Sequence, residues 1–150
     1  MAFSCLDDVL AFAIVREEEA ARLYHDMACQ ARTEPLRILL KELEVEEGRH
    51  KILLEKFRAG KPVPRAGVRV PDLGLTDALT ADSSGPDGSA QDLLIIAAQK
   101  EARSVDLYGR LAAAAGDDEM RSLFEYLAGQ ELRHKFRLEN EYEARILTED

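Results

Sequence analysis

The chain has 150 residues and a formal charge of −9, from 20 Lys and Arg against 29 Asp and Glu. With 46% hydrophobic and 33% charged residues it can bury one sizeable core without staples. The acidic balance argues against nucleic acid or an anionic membrane as partner, and no apolar run approaches the ~20 residues that cross a bilayer. Asp7 and Asp8 stand where an export signal carries basic residues, and Cys5 and Cys29 form no CxxC. The expectation is therefore reduced thiols in a cytoplasmic protein with no metal-ribbon appendage.

In chain order, the periodicity predicts a first helix from about Leu6 to Ala31. A second runs from an N-cap at Thr33 to Phe57. The stretch after it holds all but one of the prolines and most of the glycines, so it cannot continue the helix. Ser89 with Asp92 resembles a capping box for a third helix, about Ala90 to Ala115, with Gly116 as its stop. Asp117 or Asp118 can cap a fourth helix reaching about Leu147. Hairpin 1 is thus expected over about 6–58, a crossover linker over about 59–89 and hairpin 2 over about 90–147, all in one domain, 1–150.

The halves repeat. Shifted by 84 residues without a gap, Ala13, Glu17, Leu23 and Tyr24 meet Ala97, Glu101, Leu107 and Tyr108. Further on, Arg37, Leu43, Glu47, Arg49, His50, Lys51 and Leu54 meet Arg121, Leu127, Glu131, Arg133, His134, Lys135 and Leu138. Two copies of one helical hairpin, each with an apolar stripe to hide, predict an all-α four-helix bundle.

Each predicted stripe contains a glutamate. Stepping by threes and fours, Leu10, Ala13, Glu17, Ala20, Tyr24 and Met27 share one face, as do Leu40, Leu43, Glu47, His50 and Leu54. The second half repeats this with Leu94, Ala97, Glu101, Ser104 and Tyr108, and with Phe124, Leu127, Glu131, His134 and Leu138. Four carboxylates in one core cannot all stay charged without compensation. The seams contain no lysine, and Arg16 and Lys100 lie off them, so metal ions are the compensator that remains. Four carboxylates with two imidazoles form a hard, oxygen-rich set that suits iron or manganese better than structural zinc.

These residues resemble the ferritin-like superfamily and, within it, rubrerythrin-type diiron domains. The resemblance rests on EEEAARLY (Glu17, Ala20, Tyr24), EGRH (Glu47 to His50), EARSVDLY (Glu101, Ser104, Tyr108) and ELRH (Glu131 to His134), spread over all four helices. It implies that Glu17, Glu47, His50, Glu101, Glu131 and His134 hold two Fe ions, with Mn as the alternative. Glu47 and Glu131 would bridge, Glu17 and Glu101 would be terminal, and each metal would have one histidine. It also implies a non-haem oxidoreductase that reduces H2O2 or O2 with an external electron donor such as a rubredoxin-like protein. The alternatives are an iron-binding or ferroxidase protein for iron detoxification or storage, and a dimanganese relative. Ser104 replaces an extra glutamate of rubrerythrins proper, and Gly48 replaces the haem-ligating methionine of bacterioferritins, so no haem is expected. Only three residues follow Leu147, an expectation against the fifth helix of a storage cage.

Tyr24 and Tyr108, two turns along from Glu17 and Glu101, are read either as hydrogen-bond partners that orient a ligand or as core tyrosines satisfied elsewhere. His25 is expected at the surface and Cys29 as a small packing residue. A homodimer is the expected assembly.

Overall fold

The structure is a computed structural model that describes residues 5–60 and 90–149, with side chains up to residue 144. Four helices make it up: α1 (Leu6–Gln30), α2 (Glu34–Gly60), α3 (Ala90–Ala114) and α4 (Asp118–Glu149). Among the described residues there is no strand, as the 3.6-residue periodicity predicts. Two helices run beyond the expected ends, α2 by three residues past Phe57 and α4 by two past Leu147. The rest of the expected linker, 61–89, and the capping box at Ser89 lie outside the described residues.

The chain divides into two units, one holding α1 and α2 and the other α3 and α4. In the first, Asp7 pairs with Arg58, Glu17 with His50 and His25 with Glu44. As one partner climbs α1 the other descends α2, so the helices are antiparallel. In the second, Glu101 pairs with His134 and the Tyr108 ring stacks on Phe124 at 6.2 Å, again antiparallel.

Each hairpin turns through three residues, and the two turns are the same at backbone level. The Ala31 N–H donates to the Ala28 carbonyl at 3.3 Å, and the Ala115 N–H to the Ala112 carbonyl at 3.2 Å. The Thr33 carbonyl accepts from the Arg37 N–H, and the Asp117 carbonyl from the Arg121 N–H, each at 3.1 Å. Thr33 and Asp117 therefore hold the N-cap positions of α2 and α4. At α4 the Asp117 carboxylate also accepts the Met120 N–H at 2.7 Å, so the cap is Asp117, while Asp118 pairs with Arg121. Gly116 is not a left-handed stop: its φ lies outside the left-handed region, and Arg32 fills the equivalent place in the first turn. A glycine is not required there.

The buried apolar residues follow the predicted stripes. Leu10, Ala13, Tyr24 and Met27 on α1 and Leu36, Leu40, Leu43 and Leu54 on α2 are buried. So are Leu94, Ala97, Tyr108 and Leu111 on α3, and Phe124, Leu127 and Leu138 on α4. Val9, Ile14 and Ala28 widen the α1 stripe, as Leu93, Leu107 and Ala112 widen that of α3. A strict three-and-four walk misses them because a globular helix buries a wider band than a coiled-coil seam.

Candidate metal centre

Six polar or charged side chains are buried among the described residues: Glu17, Glu47, His50, Glu101, Glu131 and His134. None is more than 4% exposed, and no lysine or arginine joins them. They are the six that the seam positions and the resemblance single out. Arg16 and Lys100, which precede Glu17 and Glu101, are half-buried, off the seams as expected; the Arg16 Nε is shielded from solvent.

In the first hairpin the three donors converge. His50 Nδ1 lies 3.6 Å from a Glu17 carboxylate oxygen and 3.3 Å from one of Glu47. One donor atom from each of the three falls within 4.8 Å of the others. The Glu47–His50 part is local, because residues three apart on a helix share a face. The Glu17 part comes from the antiparallel register of α1 on α2.

The second hairpin repeats the triad. His134 Nδ1 is 3.5 Å from Glu101 and 3.9 Å from Glu131. Here too one donor atom from each lies within 4.8 Å of the other two. The contact within α4 is looser than that within α2, 3.9 Å against 3.3 Å, while the contact across the helices, the partners and the imidazole nitrogen match.

The arrangement can do one thing well. Two carboxylates packed this closely repel one another, and burial this deep strips them of solvation. A cation relieves both penalties at once, and oxygen-rich donors with nitrogen favour iron or manganese over structural zinc. The donor set therefore fits metal ions in each hairpin.

Tyr24 and Tyr108 are each 1% exposed, rings and hydroxyls included, and Tyr108 packs on Phe124. They wall the same seams as the glutamates and contribute to keeping water out. Ser104, where rubrerythrins proper carry a further glutamate, is half-buried.

Two readings at the surface need separate treatment. His25 is exposed as expected, with its Nδ1 3.3 Å from Glu44. Cys29 is exposed rather than packed. The α1 stripe turns it outward, and its sulfur lies 3.9 Å from His25 Nε2, one helical turn away. The small size of cysteine suggests packing, but the phase of the stripe decides, and Ala28 takes the inward place. Both cysteines are free thiols.

A family model described as Rubrerythrin matches residues 8–142. Among solved structures, a hypothetical protein from Pyrococcus furiosus is similar at 26% identity and a TM-score of 0.69, over 92% of this chain and 88% of its own. A proposed ferritin-like diiron-carboxylate protein from Thermotoga maritima is similar at 20% identity and a TM-score of 0.72, over 95% and 97%. An uncharacterised conserved protein from Magnetospirillum magnetotacticum MS-1 is similar at 22% identity and a TM-score of 0.68, over 93% and 94%. No curated protein is a significant match to the chain. Among the described residues no helix is long and apolar enough to cross a membrane.

Proposed function

The chain belongs to the Rubrerythrin family, a ferritin-like four-helix fold, and on that premise we propose that it is a non-haem diiron oxidoreductase. Its substrate is H2O2 or O2, and its electrons come from a separate donor such as a rubredoxin-like protein. The observation that carries this reading is the identity of the buried polar set: six donors, three per hairpin, with no buried basic residue among the described residues to compensate them.

Glu17, Glu47 and His50 with Glu101, Glu131 and His134 would hold two Fe ions, Mn being the alternative, each as a metal ligand, and no haem is expected. When bound, two ferrous ions supply the two electrons that reduce a peroxide or begin the reduction of O2. The chain's own part is electrostatic and steric. Four carboxylates lower the charge of the pair and keep it in a dry site, where their fixed positions cost no reorganisation. Tyr24 and Tyr108 exclude water from the seams and orient a neighbouring carboxylate. The whole chain, 1–150, acts as one domain, and its free thiols suit the cytoplasm.

The test is metal content per chain after anaerobic Fe(II) loading, followed by stopped-flow mixing with H2O2 and with O2. About two irons per chain, oxidised much faster by H2O2 than by O2, is the expected result. Fast oxidation by O2 with uptake continuing beyond two irons would replace this reading with iron handling. Stoichiometric Mn without Fe would replace it with a dimanganese centre. No stoichiometric metal would overturn it.

A further inference from the structure

We propose that Cys29 and His25 form a second metal site, on the surface of the first hairpin, for a thiophilic cation of the zinc class, and that Glu44 positions its imidazole. His25 and Cys29 stand four residues apart on α1, so both side chains leave the helix on one face. The Cys29 Sγ lies 3.9 Å from His25 Nε2. On the far side of the ring, His25 Nδ1 lies 3.3 Å from a carboxylate oxygen of Glu44 on α2. Solvent reaches all three: Cys29 is exposed, and the His25 and Glu44 side chains are 57% and 33% exposed. His25 is eight residues beyond Glu17, about 12 Å along α1, so the pair is distinct from the buried donors.

The neighbours assign a role to each ring nitrogen. An ionised carboxylate only accepts, so against Glu44 the neutral imidazole carries its proton on Nδ1. Nε2 is then left with a lone pair facing a thiol. Metal-binding histidines are commonly held in this way, with the far N–H donated to a carboxylate. A zinc-class ion bonds nitrogen at about 2.0–2.1 Å and sulfur at about 2.3 Å, which separates the two donors by about 3.6 Å at the tetrahedral angle. The observed 3.9 Å is a small side-chain rotation away. The ion takes the place of the thiol proton, which leaves to solvent, and water fills its other positions.

The donor types separate this site from the interior. Carboxylate-rich sets suit iron and manganese, whereas a thiolate beside an imidazole suits zinc. One hairpin would thus sort two classes of cation, hard ions inside and a softer one outside.

The internal repeat supplies the control. At the places of His25, Cys29 and Glu44 the second hairpin has Gly109, Ala113 and Ala128. It keeps the buried triad and the turn hydrogen bonds without them. The three residues are therefore not needed to build a hairpin, and they are missing together, as a set with a joint task would be.

The test uses the full chain in a Cys5→Ser background, titrated anaerobically with Cd2+ and with Zn2+. Cd2+ should raise a thiolate-to-metal charge-transfer band, which the interior, lacking sulfur, does not give. Zn2+ should compete for it, and Mn2+ in about tenfold excess should not. His25→Ala and Glu44→Ala should each weaken Cd2+ binding at least about tenfold with an unchanged circular dichroism spectrum. Long-range 1H–15N spectra should show Zn2+ shifting His25 Nε2 while Nδ1 keeps its proton. No band, an unchanged Cd2+ midpoint in His25→Ala, or a His25 resonance that stays put while the thiol is saturated would each overturn the proposal. Because only sulfur gives the band, these results do not depend on whether the interior holds iron.

Discussion

At the 84-residue shift, Asp7, Glu18 and His25 of α1 become Gln91, Ala102 and Gly109 of α3, while Arg58, Lys51 and Glu44 of α2 become Tyr142, Lys135 and Ala128 of α4. In the first hairpin these residues make three ion pairs across the helices: Asp7–Arg58 at 2.7 Å, Glu18–Lys51 at 3.0 Å and His25–Glu44 at 3.3 Å. In the second hairpin no such pair is available at those places, and Lys135 turns along its own helix to Glu139 at 3.1 Å. Ile14 also becomes Ala98. Ala98 and Ala102 lie in a groove of about 350 Å³, lined also by Leu94, Leu138 and Tyr142 among others. Both hairpins nonetheless carry the same antiparallel register and the same buried triad. The lesson is that apolar burial and turn geometry set the register, while surface ion pairs add little, as their usual worth of ~0–1 kcal/mol suggests.

The sharpest break of the comparison is at the triads. If the hairpins are functionally equivalent halves, Glu47→Ala in one and His134→Ala in the other should have the same effect, loss of two-metal binding. Metal analysis after Fe(II) loading and the absorption of the oxidised protein report it. A variant that still binds two irons with unchanged spectra would show that the assigned ligands are wrong. In metal-free protein the sign should reverse. Glu131→Gln removes a buried charge and should raise stability by ~1–3 kcal/mol in urea melts.

Next in size are Leu43→Ala and Leu127→Ala, equivalent positions that are both 0% exposed. Each should cost ~2–5 kcal/mol by chemical denaturation. Values that differ by more than that spread would mean that the two cores are not equally well packed.

Smaller effects test the divergent surface. Ala98→Ile gives the second hairpin the residue of the first and should gain ~1 kcal/mol by filling the groove. Gly129→Ala, where an added Cβ meets nothing within 4 Å, should gain ~0.5–1 kcal/mol from helix propensity. A loss in either case, read in the same melts, would mean that the space is needed.

The smallest effect is Asp7→Asn. The hydrogen bond from Arg58 holds the Asp7 carboxyl below its ordinary value. A depressed carboxylate stabilises the fold above its unfolded value of ~3.9, and that stabilisation is lost as pH falls through the lowered folded value. The Tm difference between the parent and Asp7→Asn should therefore be present at pH 7 and vanish in strong acid. Lys51, raised by its hydrogen bond to Glu18, has the opposite sense: its contribution is present below its ordinary value and fades as pH rises through the raised one.

Much of the inside was legible from sequence, because period and burial are tied. A glutamate in the middle of an apolar stripe has to be buried, and Glu17, Glu47, Glu101 and Glu131 are. The repeat removed most of the remaining ambiguity, since a chance ExxH does not recur with its partner glutamate 30 residues before it. What failed depended on exact phase. Cys29 sits one residue beyond the inward position, and residue type alone does not reveal that. Gly116 looked like a stop, but its turn is closed by the same two hydrogen bonds as the glycine-free turn. The pairs Asp7–Arg58 and His25–Glu44 were not foreseen, because they are long-range choices among many exposed charges.

The matched three-residue turns have a consequence beyond helix capping. Glu17 lies about 21 Å along α1 from its turn, and Glu101 the same distance along α3. The phase of each glutamate is thus held by uninterrupted helix. One residue inserted within that stretch of α1 or α3 would turn Glu17 or Glu101 about 100° around its helix axis and off the seam, with no buried donor replaced. An insertion in the turn itself leaves that phase intact, so this protein tolerates added residues at its hairpin tips and not between tip and glutamate.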